Sequence, residues 1–134
     1  MIKKTIKYED YLGNQREETF YFNLNKAEII EMQAFGSLRD FEKIANSQDA
    51  SGAIGVLKDL ILKSYGEKSA DGKRFIKKAA DGHLLADDFA ETDAYAELFV
   101  ELANDTTAME AFVRGIVPQS MMVEAEKQQA QLNA

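Results

Sequence analysis

Residues 3–25 read KKTIKYEDYLGNQREETFYFNLN, and their alternation is what makes the predicted fold α+β. Two alternating runs flank Gly13-Asn14, the pattern of a β-hairpin. Ile6 and Tyr8 share one face of the first run, and Phe20, Phe22 and Leu24 share one face of the second. Lys7, Glu17 and Thr19 fall opposite, as period-2 alternation with one buried side requires. A lone two-stranded sheet is marginal in water, so this hairpin must dock on apolar surface. Either the helices that follow cover it or a second copy of the chain does. Its free edges are also where subunits could pair.

Outward from the hairpin the period changes to that of helices. Asn25 with Glu28 three residues on makes a helix start, and KAEIIEMQAF runs as a helix to about Gly36. A second short helix is predicted over Leu38 to Ala45, with Leu38, Phe41, Ile44 and Ala45 at helical spacing. In DASGAIGVLKDLILKSYG, a central core helix sets Ala53, Ile54, Leu57, Leu60 and Ile61 on one stripe, with Gly66 as its stop. Three more helices are expected near Leu84 to Phe89, Asp93 to Ala103 and Thr106 to Gly115. Thr92 and Asp105 are their caps. Leu98, Phe99 and Leu102 form one stripe and Met109, Phe112, Val113 and Ile116 another, while Gly115 and Pro118 bracket the stop. The prediction is an N-terminal hairpin followed by a mostly helical bundle of about five to six helices. Residues 1–118 make one domain and residues 119–134 a tail, partly helical or disordered.

Composition narrows the chemistry. At 134 residues the chain suits a single core. No run approaches the roughly 18 apolar residues of a membrane helix, and the start MIKKTIKYED has no apolar secretion segment, so a cytoplasmic protein without membrane contact is expected. With no cysteine and one histidine, His83, disulfides, thiol catalysis and zinc-thiolate sites are excluded. A net charge of −7 argues against general nucleic-acid binding. The charge is segregated: Ala79 to Val113 holds nine acids and no Lys or Arg, whereas Lys63 to Lys78 holds six bases against two acids. These blocks are either two solvated faces or surfaces that meet, within one chain or between copies.

The stretch KSYGEKSADGKRF, residues 63–75, is the one place that resembles a ligand loop. A phosphate-gripping loop needs four residues between its first glycine and Gly-Lys, and then Ser or Thr. Here five residues separate Gly66 from Gly72, and Arg74 follows Lys73. Calcium-loop and dinucleotide spacings fail as well. What remains is a turn at Asp71-Gly72 joining two helices. Asp87 and Asp88 are adjacent and point about 100° apart on a helix, which suits a solvated acidic face better than acid-base or metal chemistry. His83 reads as an exposed loop or capping residue, and nothing marks Ser64 or Ser69 as a nucleophile. No cofactor is expected. The aromatics Tyr8, Tyr11, Phe20, Tyr21 and Phe22 read as core or interface, because only two strands are visible and Glu9, Asp10, Glu17 and Glu18 surround them. Met121 and Met122 serve either adaptable partner binding or the end of the last helix. The candidate partner or self-association surface is therefore Tyr8, Tyr21, Lys73, Arg74, Asp87, Asp88, Met121 and Met122.

Three segments together, TIKYEDYLGNQREETFYFNLNKAEI, SYGEKSADGKRFIK and FAETDAYAELFVELANDTTAMEAFVRGIVP, resemble the tail assembly chaperones of long-tailed bacteriophages and prophages of Gram-positive bacteria. The resemblance covers residues 3 to 118. It implies a non-enzymatic factor that coats the helical tape measure protein, helps recruit tail tube protein, self-associates into a homo-oligomer in the host cytoplasm and is absent from the finished virion. It further implies that this chain, ending QQAQLNA, corresponds to the short form of a pair whose longer form arises by frameshifting. No site residue carries over, because the family has no universal binding motif. The alternative reading is a phage or host regulatory adaptor that binds a folded protein, or nucleic acid through the Lys73 to Lys78 cluster.

Overall fold

A computed structural model describes residues 1–34 and 50–118, the side chains of 33–34 and 50–53 excepted. The predicted hairpin is present. Strand β1 (Ile2–Glu9) pairs antiparallel with β2 (Gln15–Phe22) along its full length, from Ile2 opposite Phe22 to Glu9 opposite Gln15. The turn between them is built around Asp10. Its carboxylate accepts from the backbone N–H groups of Leu12 and Asn14, each at 2.9 Å, and from Arg16 Nε at 2.6 Å.

The sheet is larger than two strands. Helix α2 (Ala50–Ser64) runs directly into β3 (Tyr65–Lys68), which pairs with β2 through Tyr21–Gly66 and Phe22–Tyr65 and then with β4 (Phe75–Ile76). The order is β1-β2-β3-β4, with every neighbouring pair antiparallel. The stretch predicted as a joint between helices is thus a second hairpin. Asp71-Gly72 does make its turn: Ser69 Oγ donates to Asp71 Oδ1 at 2.6 Å and accepts from Arg74 N–H at 3.0 Å, while Gly72 takes φ +73°. A similar turn recurs at Gly82, flanked by a single bridge between Lys78 and Leu84. Two residue pairs between β2 and β3 are too few to produce a visible alternating run, so periodicity alone did not reveal the extra strands.

Five helices stand among the described residues: α1 (Lys26–Ala34), α2, α3 (Leu85–Ala90), α4 (Asp93–Asn104) and α5 (Thr106–Ile116). The starts of α1, α4 and α5 follow the predicted caps. Asn25 Oδ1 accepts from Glu28 N–H at 2.8 Å and Glu28 Oε1 accepts from Asn25 N–H at 3.0 Å, a reciprocal box that satisfies two orphan donors. Thr92 accepts from Tyr95 N–H and Asp105 from Ala108 N–H. The helix predicted over residues 38–45 and the tail 119–134 lie outside the described residues.

The helices cover one face of the sheet. Ile6 and Phe22 from that face, Leu57, Leu60 and Ile61 from α2, Phe89 from α3, Leu98 and Leu102 from α4, and Phe112 and Ile116 from α5 are buried together. Burying each such side chain contributes about 1.5–3 kcal/mol. Phe22 is central, with ring centroids of Phe112, Tyr65 and Phe89 at 5.3, 5.8 and 5.8 Å. Ile54, predicted in the α2 stripe, is instead 49% exposed, whereas Leu57, Leu60 and Ile61 of that stripe are buried; the side chain of Ala53, the remaining stripe residue, lies outside those described. Past the end of β2, the backbone ties the layers together. Asn23 N–H donates to Ser64 O at 2.7 Å and Leu24 N–H to Ile116 O at 2.9 Å, so the extended segment satisfies terminal carbonyls of two helices.

Candidate binding groove and surface side chains

Where α1, the end of α2 and the start of α3 approach one another, they leave a groove of about 400 Å³. Its floor is apolar, formed by Leu24, Met32, Leu62, Tyr65, Leu84 and Ala86, and its rim carries Glu28, Glu31, Asp59, Asp87, Lys63 and Lys77. The segregation follows from local structure. Leu24 and Tyr65 are inward residues of the sheet and its extension, Met32 is on the buried side of α1, Glu31, Asp59 and Asp87 stand on exposed helix sides, and Glu28 is half-buried between. Lys77 ties the walls together: its ammonium pairs with Glu28 of α1 and donates to Lys63 O, at the C-terminus of α2, at 2.7 Å. A cation at that position also meets the negative end of the helix dipole. Sequence reasoning left Lys77 as one of several surface lysines, since no pattern in the chain connects it to Glu28.

The hydroxyl of Ser64, beside the groove, is fully buried and donates to Leu60 O at 2.6 Å and Ile61 O at 3.1 Å. It is a helix-end hydroxyl committed to the backbone. Tyr65 lies flat on Phe89, and burial pushes its phenol up to about 12. At the opposite end of the molecule's first hairpin, the turn presents Tyr11 and Leu12 at 82% and 85% exposure.

The predicted surface residues do not form one patch. Tyr8 and Tyr21 fall on opposite faces of the sheet: Tyr8 packs at the core margin, with its hydroxyl donating to Glu18, whereas Tyr21 faces outward with Lys68 Nζ 4.5 Å from its ring centroid. Lys73 and Arg74 are exposed at the β3–β4 turn. Asp87 stands on the groove rim, and Asp88 is bonded to His83, Oδ2 to Nε2 at 2.7 Å. The other ring nitrogen, Nδ1, meets Asp81, so His83 bridges two carboxylates and its pKa is raised, by Asp88 first and then Asp81. Met121 and Met122 lie outside the described residues. Among those described, no ion pair joins the basic block 63–78 to the acidic block 79–113; the pairs formed by lysine and arginine are Lys4–Glu101, Arg16–Asp10 and Lys77–Glu28. No group of three or more potential metal-ligating side chains occurs among the described residues, and no helix there is long and apolar enough to cross a membrane.

Comparison with known sequences gives a match over residues 1–134 to a family described as phage tail assembly chaperone. No curated protein and no solved structure matches the chain.

Proposed function

Because the chain belongs to the phage tail assembly chaperone family, we propose that it is a non-enzymatic factor, working in the host cytoplasm as a homo-oligomer, that binds and shields the tape measure protein and helps bring tail tube protein to it. Residues 1–118 act as one α+β domain and residues 119–134 as its tail. The observation that carries this reading is the groove between α1, α2 and α3. Its apolar floor and charged rim are the chemistry that accepts the apolar stripe of a helix, with the rim leaving the polar side of that helix in water. Leu84, 44% exposed at the groove, is the side chain best placed to meet such a client first.

The test is capture of a tape measure fragment by the full chain, with a scrambled fragment as control. Selective capture is expected, and Leu84→Glu should weaken it about ten-fold or more, as loss of an apolar anchor does. Equal capture of both fragments would remove the proposal.

A further inference from the structure

Strand β1 is the outermost strand of the sheet, and all eight of its residues pair with β2. Among the described residues its other side is a free edge. The turn determines which groups face that edge: Asp10 N–H donates to Asn14 O at 2.9 Å, and hydrogen-bonded positions alternate along an antiparallel ladder. Ile2, Lys4, Ile6 and Tyr8 therefore direct their backbone groups toward β2. Lys3, Thr5, Lys7 and Glu9 direct theirs outward, and among the described residues no hydrogen bond engages them. A long strand edge in this state is a template for another strand.

We infer that β1 pairs with β1 of a second copy, antiparallel about a two-fold axis at Ile6, to make one continuous sheet across a dimer. The charges and the length of strand paired together select this register. Continuity of the two faces requires residues of like face to oppose one another. With the axis at Ile6, Lys3 lies opposite Glu9 of the second copy and Thr5 opposite Lys7, twice each by symmetry. Shifting the axis to Thr5 sets Lys3 against Lys7, and shifting it to Lys7 sets that lysine against its own copy; like charges directly opposite are destabilising. The axis at Ile6 also matches the outward residues to one another, giving about eight backbone hydrogen bonds. Within one copy Lys3 faces Tyr21 and Glu9 faces Gln15, so neither charge has a cross-strand partner until the second strand arrives. The dimer deepens the homo-oligomer part of the reading above; it does not depend on the client.

Sedimentation equilibrium of the full chain, with circular dichroism to confirm folding, tests this. A reversible dimer is expected. Lys3→Glu, which opposes Glu to Glu9, should weaken it about ten-fold, and the exchange Lys3→Glu with Glu9→Lys should restore it. Thr5→Pro, which removes an outward donor while sparing the β1–β2 ladder, should also weaken it. A monomeric native chain, a dimer indifferent to Lys3→Glu, or failure of the exchange to restore association would each overturn the inference. Capture of the tape measure fragment is scored separately, so failure of the dimer and failure of client binding are distinguishable.

Discussion

Tyr65 and Phe89 stack face to face, with ring centroids 4.3 Å apart and planes 5° from parallel. This contact joins the first residue of β3 to α3, and Phe89 meets Phe20 and Phe22 of β2 as well. Phe89 therefore closes the core where the two hairpins meet the helices.

Phe89→Ala should cost about 3–5 kcal/mol, the usual range for emptying a buried aromatic site. Urea denaturation is the measurement. Tyr65 supplies an alkaline signature of the same contact. Its folded pKa of about 12 exceeds the ordinary 10.0 because of burial. The associated stability is complete below pH 10.0 and is lost as pH rises through about 12. Tyr8 and Tyr95 are raised as well, so the Tyr65 step in phenolate absorbance is identified by its loss in Tyr65→Phe, and Phe89→Ala should bring that step down.

At the first hairpin the pH dependence has the opposite sign. Arg16 is the largest influence on Asp10, followed by the Asn14 N–H, and together they hold its carboxyl at about 2, below the ordinary 3.8. The contribution is present above pH 3.8 and disappears as pH falls through about 2. In a carboxyl-carbon NMR titration, Arg16→Gln should move Asp10 back upward while Asp71, held low by Ser69 and the Lys73 N–H, stays in place.

His83 carries a third signature. Its pKa is raised above 6.5 by Asp88 and then Asp81, so the stabilisation is complete below pH 6.5 and fades as pH rises through the higher folded value. Asp88→Asn and Asp81→Asn should each lower the imidazole titration seen by proton NMR, Asp88→Asn the more. A titration that neither change moves would show that the imidazole is not held between these carboxylates.

What the chain disclosed in advance depended on how far apart the interacting residues lie. The Asn25–Glu28 box, the Thr92 and Asp105 caps and the β1–β2 alternation are set by residues a few positions apart or in one run, and all were legible. The second hairpin was not, because its strands are four and two residues long, too short for a period to register. The groove was hidden for another reason: Leu24, Leu62 and Leu84 meet only after three helices have packed. The reading of His83 as an exposed loop residue held, yet its two carboxylate partners could not be chosen from an acidic segment that offers nine.

Gly66 is where the sequence reading and the structure differ most usefully. It was expected to stop a helix; it sits in β3 opposite Tyr21, with the Phe75 ring laid over its Cα. A Cβ at Gly66 would collide with that ring and come within 2.7 Å of Ile76 O. Gly66→Ala should therefore destabilise by about 1–3 kcal/mol, as overpacking does, and the loss should depend on the residue at position 75, which a helix-stop role would not predict. Phe75→Ala in the same chain should recover part of the loss and no more, because removing the ring leaves the Ile76 carbonyl in the way. Denaturation of the two single variants and the double variant separates the cases: a coupling of zero between residues 66 and 75 would mean that the β3–β4 hairpin does not bring them together.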